Sequence, residues 1–251
     1  MSKGSNTKRM RVFGGPNGSG KSSIIKEVRK RAIDTGLYIN ADDIEKTVAE
    51  RKFLNLADYD LESTSQEFDQ YLHNSTLLQK AVTEGYKIDL QFSNNNILIG
   101  EGSNSYEAAI ISEYIRRLLL AKGSTFSFET VMSHSSKLQI FKDALSAGYR
   151  TYLYFVGTVS VEININRVSE RVKKGGHPVA EDKIRERYEK SMDLLYDMLP
   201  YVNRCYLIDN SLNSRYRLIG EITDGSTVDL FYGFSDLPIW IKRFLLDKLG
   251  V

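Results

Sequence analysis

Cysteine is almost absent from this chain: among 251 residues there is one, Cys205. A single thiol excludes an intrachain disulfide and any zinc site built on cysteines. Such a residue is expected as a small buried side chain in a reducing cytosol. Proline is scarce as well, with four in the chain. No Ser/Gly/Pro-rich stretch separates two halves, and no repeat marks a solenoid or array. Long apolar runs are missing. The longest, around Leu118–Ala121, is far too short to span a bilayer. The polar, basic stretch Met1–Arg11 carries no signal-peptide core. A cytoplasmic protein without a membrane partner is therefore expected. Excess charge of one sign is lacking too: 34 basic residues stand against 32 acidic ones, a formal net charge of +2. That balance gives no reason to expect a nucleic-acid partner. What is present is 41% hydrophobic and 26% charged, the composition of an ordinary globular domain. The length allows one large α/β domain, or one domain with a big insertion.

Residues 1–8 read as a disordered leader. Met10–Gly14 predicts a short buried strand, Gly15–Gly20 a loop, and Lys21 to about Ile33 a helix that stops before Thr35-Gly36. Leu37–Ile39 predicts a second strand. Helical periodicity returns over Tyr106–Ala121, with Asn104 and Glu107 spaced as a capping box. Thr125–Glu129, Thr151–Val156 and Arg204–Ile208 read as strands. Lys137–Ala147, Val161–Val172 and Glu181–Met198 read as helices, the last two flanking a turn over Lys173–Pro178. Strands alternating with helices imply an α/β fold, a mainly parallel sheet with helices on both faces. The stretch from about 44 to 123 is long for one connection. It holds polar, helical-looking material over Glu50–Gln79, then the alternating Ile88, Leu90 and Phe92. Asn94-Asn95-Asn96 and Ile97–Ile99 follow, a pattern that predicts a hairpin with an Asn turn. One domain over 1–251 is expected, with 44–123 as an insertion or cap within it.

Gly15-Pro16-Asn17-Gly18-Ser19-Gly20-Lys21-Ser22 fits G-x-x-x-x-G-K-[ST] at every defined position, between a predicted strand and a predicted helix. The glycines let successive N–H groups point at phosphate oxygens, and the helix N-terminus adds its positive dipole end. Lys21 reaches the β- and γ-phosphates, Ser22 ligates Mg²⁺, and Ser23 completes the nucleotide-binding segment. ATP and Mg²⁺ are the cofactors this implies. The Asn-Lys-x-Asp motif of GTPases and the Leu-Ser-Gly-Gly-Gln signature of ABC-type ATPases are both absent. Small-molecule kinases need a base beside the acceptor hydroxyl and arginines that cover the phosphates.

Candidates for both roles are present. Asp42 and Asp43 follow the second strand, at the sheet edge where open α/β folds bind ligands. Asp42 is the candidate base; the alternative for either is a helix cap before Ile44. Glu129, at the end of another strand, fits a Mg²⁺-bound water or a substrate hydroxyl, or is simply an edge-strand charge. Arg167 and Arg171 lie i, i+4 on one helix face ahead of Gly175-Gly176-His177. They fit a phosphate-covering lid, or a solvated surface. His177 is either a phosphate contact or a loop residue without a role.

Taken together, Gly15–Ser22, Ile39-Asn40-Ala41-Asp42, Phe126-Ser127-Phe128-Glu129-Thr130, Gly148-Tyr149, and Arg167 through Tyr188 with its Gly-Gly-His turn resemble the zeta-toxin family of P-loop kinases. The likeness is strongest to the branch often labelled as predicted ATPases and runs from about residue 10 to 210. It implies transfer of the ATP γ-phosphoryl group to a sugar hydroxyl of UDP-N-acetylglucosamine, and a separately encoded antitoxin as partner. It gives Asp42 the role of base, Lys21 that of the ATP lysine, Glu129 and Thr130 substrate binding, and Arg167 a phosphate contact. Arg171 stands in for the family's second lid arginine by geometry only. The arginine that follows the Glu–Thr element in the better-known toxins has no counterpart in Val131–His134. Two other readings remain: a kinase of another nucleotide-type acceptor, and a nucleotide-dependent switch without small-molecule kinase activity.

Overall fold

The computed structural model describes residues 7–100, 104–213 and 215–250. Residues 1–6 of the expected leader lie outside the described residues. In chain order the elements are β1 (Arg9–Gly14), α1 (Lys21–Lys30), β2 (Leu37–Ile39), α2 (Ala41–Arg51), β3 (Phe53–Asn55), α3 (Ser65–His73), α4 (Thr76–Thr83), β4 (Leu90–Ser93), β5 (Asn96–Ile99) and α5 (Ser105–Lys122). They continue with β6 (Phe126–Thr130), α6 (Lys137–Ser146), β7 (Arg150–Gly157), α7 (Val161–Lys173), α8 (Glu181–Met198), β8 (Arg204–Asp209), β9 (Arg217–Thr223) and β10 (Thr227–Leu230). Helical turns over 239–249 close the chain. The chain forms two compact units, one of Met1–Thr35 with Ser127–Val251, the other of Gly36–Phe126.

In the first unit the strands lie in the order β10-β9-β8-β7-β1-β6. β1 runs parallel to β7 from Arg9↔Arg150 to Gly14↔Phe155, and β7 parallel to β8 from Tyr152↔Arg204 to Gly157↔Asp209. Parallel strands buried on both faces need continuous apolar runs, and β7 supplies one from Leu153 to Val156. On one face Phe13 stacks on Tyr154 at 4.7 Å and Tyr154 on Tyr206 at 4.9 Å. Phe155 points the other way, onto Trp240 at 5.8 Å. Cys205 is buried, as expected, and burial pushes its thiol pKa up. Helices pack on this mostly parallel sheet, α1 against β1 and α6 against β7. The sequence reading contained no antiparallel edge, yet β9 and β10 add one beyond β8. Their connection, Asp224–Ser226, puts Asp224 and Gly225 at φ +48° and +70°, the left-handed backbone that a tight hairpin requires.

The second unit is built around Phe68, whose ring meets Phe92 at 5.5 Å and Tyr114 at 5.0 Å. The α5 start is the expected capping box: Asn104 Oδ1 accepts from Tyr106 N and Glu107 N, and Glu107 Oε2 accepts from Asn104 N. The expected hairpin is β4–β5, with Ser93 opposite Asn96 and the turn residues Asn94 and Asn95 at φ +50° and +61°. Asn95 is spent locally, accepting from Ser63 N and donating to Leu61 O. The helical material expected from Glu50 is interrupted. Lys52 turns left-handed at φ +64°, β3 pairs with β5, a single 3-10 turn spans Leu56–Tyr59, and α-helix resumes at α3.

The start of α2 corrects another expectation. Neither Asp42 nor Asp43 is the cap. Asn40 is extended and its Oδ1 accepts from Asp42 N at 2.9 Å, so the helix begins at Ala41, three residues before Ile44. Asn40→Ala is expected to cost about 1 kcal/mol of stability, read as a lower urea midpoint at unchanged slope.

Candidate active site around the phosphate-binding loop

The loop between β1 and α1 is shaped by glycines that no other residue could replace. Gly18 and Gly20 sit at φ +74° and +97°. A Cβ on Gly18 would lie 2.4 Å from the Asn164 carbonyl oxygen, and one on Gly20 2.2 Å from Asn210 Nδ2. Side chains are thus excluded by backbone conformation and by neighbours at once. Ser19 N donates to Pro16 O at 3.3 Å and closes the turn. Lys21 Nζ donates to both Gly15 O and Pro16 O at 2.9 Å, reaching back along the loop. The first turn of α1 carries no acidic residue and no side-chain cap, so its positive dipole end suits an anion.

Ser22, one residue further on, donates from Oγ to Glu129 at 3.0 Å (Oε2) and 3.2 Å (Oε1). The sequence offered these two as separate candidates, and the fold brings them into contact across 107 residues. A hydroxyl beside a single carboxylate is an all-oxygen donor set. It fits Mg²⁺, which takes a few protein oxygens and fills its octahedron with water and phosphate. Among the described residues no cluster of three or more His, Cys, Asp or Glu could hold a metal by itself. Thr130 Oγ1 accepts from Met132 N at 3.4 Å, beside Glu129 at the end of β6.

The arm formed by α7, its turn and α8 contributes the arginines. Arg167 donates from Nη1 to Asn210 O at 2.7 Å and from Nη2 to Leu212 O at 3.2 Å, fastening the segment after β8. Burial pulls its pKa down while the charge of Asp209 opposes the shift; the guanidinium stays protonated at neutral pH. Arg171 is exposed and donates from Nη2 to His177 O at 2.8 Å, and its own carbonyl accepts from Gly176 N. It therefore holds the Gly-Gly-His turn against the helix. A cavity of about 300 Å³ lies between α7 and the segment after β8, lined by Ile163, Asn166, Arg167, Glu170, Ser211 and Asn213.

Several residues here escaped the sequence reading. Asn164, fully buried on α7, donates to Asn17 O at 2.6 Å and accepts from the Thr158 hydroxyl. Tyr188 Oη on α8 donates to Thr158 O at 2.6 Å, and burial pushes its phenol up to about 12. Asn210 Nδ2 donates to Ser19 O at 2.7 Å. Asp209, buried at the end of β8, accepts from Ser211 Oγ at 2.7 Å and Trp240 Nε1 at 3.0 Å, and lies 3.4 Å from Arg217 Nη2. A signal for Asp209 and Asn210 existed: they follow a predicted strand at its carboxyl end, where α/β folds bind ligands. For Asn164 there was none.

Gly15–Ser23, Glu129, Thr130, Arg167 and Arg171 all belong to the first unit. Asp42 and Asp43 belong to the second, exposed on the first turn of α2.

No protein-family profile matches the chain. Over 63 residues it is 41% identical to an uncharacterised protein of Haemophilus influenzae, a match covering 25% of this chain and 45% of that protein. Among solved structures it resembles a chain of the native AvrRxo1-ORF1:ORF2 complex, with a TM-score of 0.55 and 11% identity over 97% of this chain and 66% of that one. The same complex with ATP gives a TM-score of 0.53 and 11% identity, covering 90% of this chain and 61% of that one. This chain thus spans less than two thirds of each of those two chains. A chain from the PezAT toxin–antitoxin system of Streptococcus pneumoniae gives a TM-score of 0.47 and 13% identity, covering 99% of this chain and 88% of that one. At these identities the likeness bears on fold alone: the chain shares the α/β fold of the AvrRxo1-ORF1:ORF2 chains.

Proposed function

We propose that this chain is an ATP-dependent kinase that transfers the γ-phosphoryl group to a hydroxyl of a small molecule. The observation that carries the reading is the Ser22–Glu129 contact beside a complete phosphate-binding loop. A hydroxyl and a carboxylate held together there are what a nucleotide-bound Mg²⁺ requires from the protein. That ion, held by Ser22 with Glu129 beside it, would neutralise charge on the β- and γ-phosphate oxygens. Lys21 adds a positive charge on the same phosphates. Arg167 and Arg171 add theirs from α7, and their planar donor forks match phosphate oxygens. The acceptor oxygen bonds to the γ-phosphorus as the bond to the β–γ bridging oxygen breaks, and ADP leaves. Asp42 takes the acceptor's proton. Its exposed carboxylate suits this role, because the helix cap is already supplied by Asn40.

Glu129 and Thr130 also bind the acceptor in this reading. UDP-N-acetylglucosamine is the acceptor that the zeta-toxin resemblance favours. That the AvrRxo1-ORF1:ORF2 complex has been crystallised with ATP supports ATP as the donor here. Its two-component make-up supports a separately encoded antitoxin-like partner.

The deciding experiment incubates the protein and ATP with a metabolite extract and searches by mass spectrometry for a species heavier by one phosphate. Slow ATP hydrolysis with no phosphorylated product would sink the kinase reading and leave a nucleotide-dependent switch. Arg167→Ala and Arg171→Ala are each expected to lower turnover more than they weaken ADP binding, because their charges act chiefly on the γ-phosphoryl group. Wild-type turnover in both variants would confine the arginines to the contacts they make with the Asn210, Leu212 and His177 carbonyls.

A further inference from the structure

Two amide side chains grip the phosphate-binding loop. Asn164 Nδ2 donates to Asn17 O at 2.6 Å, and Asn210 Nδ2 donates to Ser19 O at 2.7 Å. Both partners are carbonyls, which only accept, so the NH₂ end of each amide must face the loop. Both residues are themselves anchored. The Asn164 amide is held through Oδ1, which accepts from the Thr158 hydroxyl, whereas Asn210 is held through its main chain, its backbone carbonyl accepting from Arg167 Nη1.

A trans peptide is planar, so its C=O and N–H point in opposite directions. Holding Asn17 C=O towards Asn164 therefore turns Gly18 N–H away from α7. Holding Ser19 C=O towards Asn210 turns Gly20 N–H away from the segment after β8. Those two amides are the ones the loop's own covalent structure leaves least determined, because glycine adopts positive and negative φ with similar ease. The close approach of Asn164 to Gly18 and of Asn210 to Gly20 puts the grip directly on the rotatable residues.

We propose that Asn164 and Asn210 are positioning residues that set the direction of the Gly18 and Gly20 N–H groups, and so pre-form the loop for the phosphate oxygens of a nucleoside triphosphate. The proposal rests on the nucleotide-binding reading above. Binding then avoids the cost of ordering these peptides in the complex. Asparagine is required because aspartate, of the same shape, would set a carboxylate oxygen against a carbonyl oxygen and drive the peptide to flip.

The test uses the full chain as wild type, Asn164→Asp, Asn210→Asp, Asn164→Ala and Asn210→Ala. ATP affinity is measured by calorimetry with Mg²⁺, the folded state by circular dichroism, and the Gly18 and Gly20 amide resonances by ¹⁵N NMR. Losing the neutral hydrogen bond and setting a carboxylate against the carbonyl predicts binding weaker by roughly ten-fold or more in the Asp variants. The Ala variants, which lose the donor without adding repulsion, fall between them and wild type. The Gly18 and Gly20 resonances move in the Asp variants, while those of Gly148 and Gly225, in turns elsewhere, stay in place. If the two side chains only filled space, the isosteric Asp would be milder than Ala, and that order overturns the proposal. Folded Asp variants that bind ATP within about two-fold of wild type overturn it too. Should Asn164→Asp fail to fold, the Asn210 pair decides, since Asn210 is only half-buried. A wild type that binds no ATP removes the nucleotide reading and this proposal together; a binding wild type with unaffected variants removes this proposal alone.

Discussion

Lys21→Ala is expected to lower phosphoryl transfer by ~10²-fold or more while the protein stays folded. The ammonium group is a point charge beside the loop; in the proposed kinase reaction it lies where negative charge would grow on the transferring group. Such preorganised charge is worth most in the transition state, because no reorganisation is needed when the reaction occurs. The fold does not depend on it. α1 is anchored by Ile24, Ile25 and Val28, all buried, and the loop keeps its Ser19 N to Pro16 O bond without the lysine. What alanine removes is the pair of 2.9 Å bonds to Gly15 O and Pro16 O, and the charge itself. Rates measured at saturating ATP, beside urea unfolding curves, separate the two effects. An unchanged rate in a folded variant would take Lys21 out of the reaction.

Asp42→Asn is expected to lose ~10²-fold or more in transfer with ATP binding nearly intact, the loss typical of a positioned general base. The substitution keeps size and most hydrogen-bonding capacity but cannot take a proton. It is unusually clean here because Asp42 is not the cap of α2. Its own N–H is already accepted by Asn40 Oδ1, and that backbone bond does not depend on the carboxylate at 42. Asn40→Ala and Asp42→Asn should therefore divide cleanly, the first lowering stability and the second lowering rate. Wild-type transfer by Asp42→Asn would leave the carboxylate as a surface charge on a helix start. It would also weaken the kinase reading itself.

Elements whose signal was local were legible in the sequence. The Asn104/Glu107 box announced α5, and Glu181 to Met198 gave α8 from end to end, because a long amphipathic helix repeats its pattern many times over. Asn94-Asn95 announced the hairpin, because few residues tolerate the left-handed backbone that a two-residue turn demands. β3 was not legible: three residues after a break leave no period to detect. β9 was diluted by Gly220 and Glu221 in its middle, although the Asp224-Gly225 turn that joins it to β10 stood in plain view. Gly220 is there because β10 passes close, with the Asp229 carbonyl 2.5 Å from where a Cβ would stand. The same division runs through the site. Gly15–Ser22 is contiguous and was read whole. Asn164 reaches the loop from 147 residues away, and its role exists only once α7 has packed.

Trp240 is the chain's only tryptophan. Its indole is buried, lies flat enough against Gly157 that a Cβ there would come within 2.6 Å, and donates to Asp209 Oδ1. Asp209 is covalently joined to Asn210, whose amide holds Ser19 O. The protein therefore carries its own optical reporter, one emitter in one environment, wired through two consecutive residues to the loop. Its emission colour and lifetime respond to the carboxylate beside the indole N–H and to the packing of the ring. If the loop takes a nucleotide as proposed, a change in Trp240 emission on titrating the native chain with ATP is the expected result, read without any attached dye.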